Sequence, residues 1–365
     1  MNIILIILVF GVIIFFHELG HFIVAKINHI GVIEFSMGLG PKLFSFTRKD
    51  TQYSLRLIPL GGYCMLVTEA EAGHENDESA FEKKSIWVRI AEVLAGPFMN
   101  MVIAFIFSVI LIHYCGTDPA TISRVYDADM VQESDYADYV KAFGGVYPAQ
   151  EAGIEDGDTV LKIGGSSIKN FRELQIYLEI YGDGSPIDLE LKRSDGTVYD
   201  TTVYPVKTDN GYKIGIIGSG NVLPKNFGEL MKYSAYEVRY WVKATFLSLK
   251  LIVTRQVSSE DVSGPVGVAK SMNDTFNEAA KIDFFTVVLN WMNYIVLLSA
   301  NLGIMNMLPI PGLDGGRFLF LLIELITRRK VPREKENIVT VIGFVLVMIL
   351  MVVILFNDIK NVFFT

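Results

Sequence analysis

Long uncharged apolar runs alternate with polar segments along this chain of 365 residues. Crossing the hydrocarbon layer of a bilayer takes about 20 largely apolar residues, and runs of that kind occupy residues 3–24, 94–113, 286–308 and 338–356. A cleavable signal peptide is the alternative for the first run, but the charged start and the small-residue cleavage site are missing. The pattern predicts a polytopic α-helical membrane protein with four transmembrane helices.

The composition agrees with this class, since 51% of the residues are hydrophobic and 20% are charged, against about a quarter charged in soluble domains. Two cysteines exclude a disulfide scaffold and a thiolate metal cluster. The formal net charge of −8 speaks against a nucleic-acid-binding protein. All of the excess negative charge lies in segment 114–285, which has 17 Lys and Arg against 25 Asp and Glu. We therefore expect a neutral membrane core and an acidic domain between the second and third spans.

Basic residues in the short loops predict the orientation, because the cytoplasmic loops of membrane proteins carry the excess of Lys and Arg. Loop 25–93 holds eight such residues and loop 309–337 holds six. Both loops are expected in the cytoplasm, with the chain ends and segment 114–285 outside, so that the first and third spans run inward. Cys64 and Cys115 then lie on opposite sides of the membrane and cannot form a disulfide.

Two histidines and a glutamate fall within five residues of the first span, at His17, Glu18 and His21. Residues four apart share nearly one face of a helix, so both imidazoles can reach one Zn²⁺ while Glu18 meets a water on that metal. Histidines satisfied inside a helix bundle are the structural alternative. Three ionisable groups in a span cost several kcal/mol unless they face a cavity, a metal or one another. The pattern therefore predicts a zinc site.

A zinc protease needs a third protein ligand and leaves the fourth position for water. The extended motif HExxHxxGxxH does not supply one, because Val24 and Ile27 stand at its Gly and His positions. Glu34 is a nearby carboxylate, but it follows the span and is better explained as a loop acid. Asp314, at the inner end of the third span, is the better candidate for the third ligand.

Asp314 closes a segment in which a regular helix is not expected. Pro309 and Pro311 break a helix where the chain nears the cytoplasmic face, and Gly315 and Gly316 are expected to let the backbone turn after the acid. Irregular backbone at membrane depth is tolerated only where it is buried in protein or lines a cavity. The two halves of the predicted site thus reach a similar depth from separate parts of the chain.

Four motifs together resemble the site-2 protease family of intramembrane zinc metalloproteases. They are HELGH at 17–21, AGPFMN at 95–100, SGPVG at 263–267 and NMLPIPGLDGG at 306–316. The resemblance is greatest to the bacterial RseP type, which carries an extracytoplasmic PDZ domain. It implies that His17, His21 and Asp314 bind zinc and that Glu18 is the general base.

The resemblance also implies how these residues act. Zinc would lower the pKa of its water toward about 7 and polarise the scissile carbonyl, while Glu18 takes the water's proton and passes it to the leaving amine. Asn306, with Pro309 and Pro311 shaping its segment, would help to hold the substrate backbone. The substrate has to unwind locally, because a helical carbonyl is already hydrogen-bonded.

Loop 25–93 is expected to contain a membrane-re-entrant β-hairpin that pairs with the substrate as an added strand. The resemblance places Gly61 and Gly62 in its substrate-binding part. An ordinary cytoplasmic hairpin that packs on lipid headgroups is the alternative. The family usually has GGYV followed by a polar or basic residue, whereas this chain continues with Cys64, Met65 and Leu66, a departure that bears on substrate preference.

Segment 114–206 alternates between strand-like stretches and turns. Residues 149–165 resemble the bacterial PDZ signature, residues 171–180 resemble the groove helix of that fold, and strands are predicted at 186–192 and 198–204. We therefore expect an inserted α+β PDZ domain. Its groove could bind a peptide strand or screen substrates by size, and the residues leave both uses open.

The following linker, 207–285, contains a predicted helix at 226–256. Asn226 and Glu229 have the spacing of an N-cap and its partner. Aromatic residues interspersed with basic ones suit an amphipathic helix in the outer membrane interface, and a fifth span is the alternative. On the cytoplasmic side, the acidic stretch 69–82 includes His74, and a solvated loop explains it better than a second metal site.

These inferences give one predicted organisation. Its parts are the first span with HExxH at 1–24, the hairpin and loop at 25–93, the second span at 94–113, the PDZ domain at 114–206, the linker with its interfacial helix at 207–285, the third span with LDG at 286–316, a cytoplasmic basic loop at 317–337, the fourth span at 338–356 and a C-terminal tail at 357–365.

The predicted function is an intramembrane zinc endopeptidase in the bacterial cytoplasmic (inner) membrane. Its expected substrates are single-span membrane proteins already cut by another protease, such as anti-sigma-factor-like regulators and remnant signal peptides. No nucleic-acid partner is expected. A catalytically inactive PDZ-containing receptor and a metal transporter are the alternatives, and Glu18 argues against both, because they need metal ligands but no adjacent base.

Overall fold

The computed structural model of the protein describes residues 2–69, 77–127, 130, 141–209, 211–254 and 264–363. The chain divides into two compact units, residues 1–108 with 241–365 and residues 109–240. The acidic stretch around His74 and the sequence before the PDZ signature fall partly outside the described residues, so the expectations for them stay predictions.

Long helices make up most of the first unit, and the short strands lie in the second. The helices are α1 (Asn2–Ile27), α2 (Ile86–Cys115), α3 (Pro148–Glu151), α4 (Phe171–Tyr181), α5 (Phe227–Val253), α6 (Pro265–Ile282), α7 (Phe284–Asn306), α8 (Asp314–Thr327) and α9 (Arg333–Phe363). The strands are β1 (Val32–Arg48), β2 (Thr51–Leu66), β3 (Ile122–Val125), β4 (Thr159–Ile163), β5 (Ser166–Ser167), β6 (Ile187–Lys192), β7 (Val198–Val203), β8 (Val206–Thr208), β9 (Gly211–Lys213) and β10 (Ile216–Gly218).

Four helices in the described part of the chain, α1, α2, α7 and α9, are long and apolar enough to cross a membrane. Two of them extend well beyond the predicted apolar windows. Helix α2 starts at Ile86 rather than at residue 94, and Arg89 near its start is paired with Glu324 of α8 at 2.5 Å. The apolar window of α2 therefore covers only part of the helix, whose first turns include a charged residue paired with a neighbouring helix.

The segment predicted as a cytoplasmic basic loop, 317–337, begins as helix. Helix α8 runs to Thr327 and ends where Arg328 adopts a left-handed conformation with a φ of 55°. Leu321 of α8 is buried against Ile90 and Val93 of α2, so an apolar face stabilises a helix that charge counting alone assigned to a loop.

Helix α6 joins the ends of two other helices of the first unit. The side chain of Asn2, at the start of α1, donates a hydrogen bond to Asn277 Oδ1 at 2.8 Å. Near the end of α9, the buried Asp358 carboxylate accepts the backbone N–H groups of Gly264, Val266 and Gly267 at 2.8–2.9 Å. A carboxylate here also complements the positive end of the helix dipole. Helix α6 is therefore hydrogen-bonded to α1 in its second half and to α9 at its start.

Strands β1 and β2 form a long antiparallel hairpin that folds back on itself. Lys49 and Asp50 form its two-residue turn with φ values of 48° and 63°, as in the type I′ turns that fit strand twist. Glu34 of β1 pairs with Gln52 on one side and with Met65 on the other. The last residues of β2 therefore return along the free side of β1, after a bend at Gly61, whose φ is 119°.

The second unit is built on a four-stranded antiparallel sheet with the order β5-β4-β6-β7, and strands β3 and β10 pair beside it. Leu174 and Leu178 of α4 belong to one buried core with Ile163, Leu189 and Leu191 of the sheet. This α+β unit has a helix and two strands where the sequence predicted them, at 171–180, 186–192 and 198–204.

Helix α5 begins with the predicted cap, because Asn226 Oδ1 accepts the N–H of Glu229 at 2.9 Å and Glu229 Oε2 accepts the N–H of Lys225 at 2.8 Å. In the second unit, Glu237 of α5 is hydrogen-bonded to Arg172 of α4. The polar face of the first half of α5 therefore contacts α4. Helix α5 is not one of the four described helices that could span a membrane.

A buried polar cluster in the second unit yields a pH prediction. Asp158 accepts hydrogen bonds from Tyr199 Oη at 2.5 Å and from Arg193 Nη1 at 2.9 Å. Burial and the Asp158 carboxylate raise the pKa of Tyr199. The folded state keeps the tyrosine proton where the unfolded state has lost it, so the free energy of unfolding falls as pH rises above about 10, by at most about 1.4 kcal/mol per pH unit. Pulse proteolysis in urea on the full chain should show this fall.

In Tyr199→Phe, the additional loss of stability above about pH 10 should disappear while other alkaline effects stay. An identical pH dependence of the variant and the wild type would contradict the assignment.

Candidate zinc site and active site

Two histidines and one aspartate converge inside the first unit. His17 and His21 lie one turn apart on α1, with their Nε2 atoms 3.4 Å from each other. Asp314 Oδ2 is 3.2 Å from His17 Nε2 and 3.6 Å from His21 Nε2. Both histidines are buried, at 7% and 8% exposure. The structure thus brings together three residues that the sequence predicted as ligands from two distant segments.

The donor set fits a zinc ion. Asp314 Oδ2 is buried and has no hydrogen-bond partner among the described residues, and a buried unsatisfied acceptor costs about 1–3 kcal/mol. One ligand atom from each of the three residues lies within 4.8 Å of the others. Two imidazole nitrogens and one carboxylate oxygen are a typical set for catalytic Zn²⁺, and a cation between them would satisfy Asp314 Oδ2.

The other carboxylate considered, Glu34, is engaged elsewhere. Its Oε1 accepts a hydrogen bond from Arg56 Nη2 at 2.9 Å, and its Oε2 lies 3.4 Å from Lys42 Nζ. Glu34 is therefore part of a charged cluster in the hairpin and not of the group of convergent ligand atoms.

Asp314 is held in place by the way helix α8 starts. The chain turns before the acid, at Gly312, which has a φ of 99°. The expectation that Gly315 and Gly316 turn the chain after Asp314 is wrong, because both are helical residues of α8. A Cβ at either glycine would overlap backbone oxygens of the preceding segment. These two glycines therefore allow close packing, which keeps Asp314 directed at the histidines.

The other residues of this segment surround the same site. Asn306 is the last residue of α7, and its Nδ2 lies 3.4 Å from His17 Nε2. Pro309 and Pro311 lie in the connection between α7 and α8. A Cβ at Gly343 of α9 would overlap Pro311, so α9 packs directly on this connection.

Glu18 faces the returning part of β2. It lies close enough to His17, His21 and Asp314 to interact with them electrostatically, and the backbone of Cys64 hydrogen-bonds to it. A Cβ at Gly62 would come within 3.4 Å of Glu18 Cγ. The edge formed by residues 62–66 thus runs beside the predicted base.

Helix α2 packs against the histidine turn without an intervening side chain. A Cβ on Gly20 of α1 would overlap the Ala95 carbonyl of α2, and a Cβ on Gly96 would overlap the imidazole rings of both His17 and His21. Small residues at such crossings let membrane helices approach closely.

Two buried side chains on α2 that the sequence did not single out contact the histidines. Asn100 Nδ2 lies 3.2 Å from His17 Nδ1. Glu92 lies against His21 Nδ1, with its backbone oxygen at 2.9 Å and its Oε1 at 3.2 Å. The motif AGPFMN, which ends at Asn100, was a signal for the first of these. Glu92 precedes the apolar window 94–113, so the span prediction passed over it.

Comparison with known proteins agrees with this geometry. Residues 5–350 match the profile of Peptidase family M50. The chain is 37% identical over 361 residues to a protein of Clostridium acetobutylicum that is provisionally named a zinc metalloprotease, covering 98% of this chain and 97% of that protein. It is 28% identical over 439 residues to the Regulator of sigma-W protease RasP of Bacillus subtilis, covering 98% of both. Zinc metalloprotease RasP of Geobacillus kaustophilus is 29% identical over 443 residues, covering 99% of this chain and 98% of that protein.

This chain belongs to peptidase family M50, the site-2 protease family. It is a zinc metalloprotease with helices able to span a membrane. The resemblance inferred from its motifs is therefore confirmed at the level of family, enzyme class and metal.

The close approach of α2 to the histidines gives a testable prediction. Gly96→Ala places a methyl group where the two imidazoles lie, so α1 and α2 have to separate. We expect the zinc content of the purified protein to fall at least about tenfold, as when other supports of zinc ligands are lost.

The matched control is Gly11→Ala on α1, where a Cβ meets its nearest atoms at 3.9 Å and 4.0 Å and should leave zinc bound. Full zinc content in Gly96→Ala would contradict the inferred packing.

Proposed function

We propose that this protein is an intramembrane zinc endopeptidase that cleaves transmembrane segments of single-span membrane proteins, with zinc held by His17, His21 and Asp314. The observation that carries this proposal is the convergence of three ligand atoms within 4.8 Å. Two of them come from α1, which is long and apolar enough to cross a bilayer, and the third comes from the start of α8. Ionisable groups at such depth are costly unless they serve one another or a metal.

The remaining residues of the site suit peptide hydrolysis. Bound zinc would supply a Lewis acid that polarises the scissile carbonyl and acidifies a water. Glu18, one residue round the helix from His17, accepts the proton of the attacking water and delivers it to the leaving amine. With His17 Nε2 engaged by the metal, the amide of Asn306 is free to donate to the substrate backbone. Pro309 and Pro311 fix the segment that presents Asn306.

We further propose that the substrate unwinds and adds as a strand to the returning edge of β2, residues 62–66. This edge lies beside Glu18, and an extended chain exposes the carbonyls that a helix keeps hydrogen-bonded. Gly61 and Gly62 give the bend and the close approach of this edge. Met65, at 41% exposure, departs from the usual family residue there and favours substrates with apolar side chains at the adjacent position.

The outer part of the hairpin supports membrane re-entry. Large apolar side chains along both strands are exposed, and they include Leu39 at 44%, Leu43 at 60%, Phe44 at 62%, Leu55 at 46% and Leu57 at 56%. Exposed apolar patches of this kind mark interaction surfaces, and a hairpin packed only on headgroups would leave them in water.

For the second unit we propose a PDZ domain on the extracytoplasmic side of the bacterial cytoplasmic membrane, with loop 25–93 and the region of α8 inside. Its four-stranded sheet and helix α4 are compatible with that fold, and the basic residues of the short loops support this orientation. A PDZ domain in this position would admit substrates whose outer part has been trimmed by an earlier protease.

The name of the Bacillus subtilis relative, a regulator of sigma-W protease, supports a regulatory substrate class. We propose anti-sigma-factor-like single-span proteins, and also remnant signal peptides, as the substrates of this chain. The inactive-receptor and transporter alternatives need no base beside the ligands, and the position of Glu18 against both the ligands and a strand edge favours hydrolysis.

The role of Glu18 can be tested with wild type and Glu18→Gln in the presence of a tagged single-span substrate. Glutamine keeps the size of the side chain but cannot accept the proton, so we expect zinc to stay bound and cleavage to fall by at least about a hundredfold. Glu278→Gln, an exposed acid on α6, is the matched control and should cleave normally. Equal cleavage by Glu18→Gln and wild type would reject the protease mechanism.

The third ligand can be tested by measuring the zinc content of purified Asp314→Ala with mass spectrometry. Removing one of three protein ligands should reduce bound zinc from about one per chain to a small fraction of that. Glu34→Ala, the nearby carboxylate bound to Arg56, should keep its zinc. Retention of zinc in Asp314→Ala, or its loss in Glu34→Ala, would show that the ligand set is wrong.

A further inference from the structure

One face of α2 carries hydrogen-bond partners for both histidines on the side away from Asp314. Glu92, Gly96 and Asn100 are spaced four residues apart, so they share a face of the helix. Gly96 is the point of closest approach to the imidazoles, and the two polar residues flank it. Both are buried, Asn100 at 0% and Glu92 at 3% exposure. A buried carboxylate and a buried amide within a span require a reason.

Asn100 has an unsatisfied atom at this contact. Its Nδ2 faces His17 Nδ1 at 3.2 Å, while its Oδ1 is buried with no hydrogen-bond partner among the described residues. An imidazole that binds a metal through Nε2 is neutral and carries its proton on Nδ1. Two donors would then face each other, since Nδ2 also carries only hydrogens.

A half-turn of the Asn100 amide resolves both difficulties. It presents Oδ1, the unsatisfied acceptor, to the Nδ1–H of His17. No other partner of His17 Nδ1 is present among the described hydrogen bonds. The tautomer that exposes Nε2 to the metal therefore depends on this one amide.

His21 has a more redundant arrangement. Its Nδ1 lies 2.9 Å from the backbone oxygen of Glu92 and 3.2 Å from the Oε1 of the same residue. Both atoms accept hydrogen bonds, so His21 also carries its proton on Nδ1 and presents Nε2 to the ligand group. Removing the Glu92 side chain would still leave the backbone acceptor.

We propose that Asn100 is a positioning residue of the zinc site, whose Oδ1 accepts the Nδ1–H of His17 and holds that ring with Nε2 toward zinc, and that Glu92 supports His21 in the same way. The proposal rests on the proposed zinc ligation by His17 and His21. Outer partners of this kind typically contribute about 10–100-fold to metal affinity.

Two substitutions at Asn100 show whether its amide accepts a hydrogen bond from His17 Nδ1 or donates one to it. Asn100→Leu has a similar size but no acceptor, and we expect the Kd for zinc of the full chain in detergent, measured by chelator competition, to rise about 10–100-fold. Asn100→Asp can only accept, and we expect its Kd to stay within about threefold of wild type. If the amide instead donates to His17, Asn100→Asp would lose zinc as Asn100→Leu does, and that result overturns the proposal.

Glu92→Leu provides a graded comparison. Because the backbone oxygen of residue 92 remains, its Kd for zinc should rise less than that of Asn100→Leu. The visible spectrum of Co²⁺ bound in place of zinc should change in Asn100→Leu and stay like wild type in Asn100→Asp, since ring orientation alters the ligand field. A larger loss in Glu92→Leu than in Asn100→Leu would contradict the assigned order.

Asn290→Leu is the matched control, because Asn290 lies on α7 and, within the described part of the chain, its side chain is seen to bond only the Thr286 carbonyl of its own helix. It should bind zinc like wild type. Thermal unfolding of the zinc-free proteins distinguishes a purely structural role of Asn100 from a role in positioning His17. If Asn100→Leu lowers the stability of the zinc-free protein but leaves the Kd for zinc unchanged, the role is purely structural and the proposal fails. Loss of cleavage in Glu18→Gln and of zinc in Asp314→Ala would still stand in that case, so the proposed function is tested independently.

Discussion

The direct packing of α2 on the histidine turn of α1 is the constraint on which the zinc site depends. Gly20 and Gly96 leave no side chain between the two helices, so the imidazoles of His17 and His21 lie against the backbone of α2. Burying these rings would be costly without partners. Asp314 supplies one partner from the start of α8, and the glycines that follow it allow that helix to press against the connection from α7. Close backbone approach at two places thus brings the three candidate ligands together.

The hairpin takes its role from the same arrangement. Because the end of β2 turns back along β1, the strand edge formed by residues 62–66 lies next to Glu18 of α1. Glu18, the proposed general base, therefore lies beside a strand edge. The proposed cleavage requires this arrangement, because the enzyme has to hold an extended peptide at a buried metal. The exposed apolar residues of the outer hairpin fit the proposed position within the bilayer, beside the proposed transmembrane substrates.

The sequence predicts the candidate ligands but not the residues that support them. His17, Glu18, His21 and Asp314 could be predicted because ionisable residues in apolar runs stand out and because their spacing follows the helical repeat. The start of α2 could not be predicted, since the charge of Arg89 is paired with Glu324 of α8, which is distant in sequence. Helix α8 itself was hidden by the basic residues around it. Gly315 and Gly316 were wrongly predicted to form a turn, because close packing and a backbone turn both favour glycine. The motif AGPFMN pointed to Asn100, but nothing in the sequence indicated that Glu92 and Asn100 contact the histidines, because these contacts exist only once two helices have packed.

Zinc ligation by His17, His21 and Asp314 beside Glu18 is tested most directly by X-ray absorption at the zinc edge on the purified enzyme. It predicts two imidazole nitrogens and carboxylate or water oxygen at about 2.0–2.2 Å, without sulfur. A sulfur ligand at about 2.3 Å, which would indicate Cys64 or Cys115, or a zinc site without two imidazoles, would contradict it.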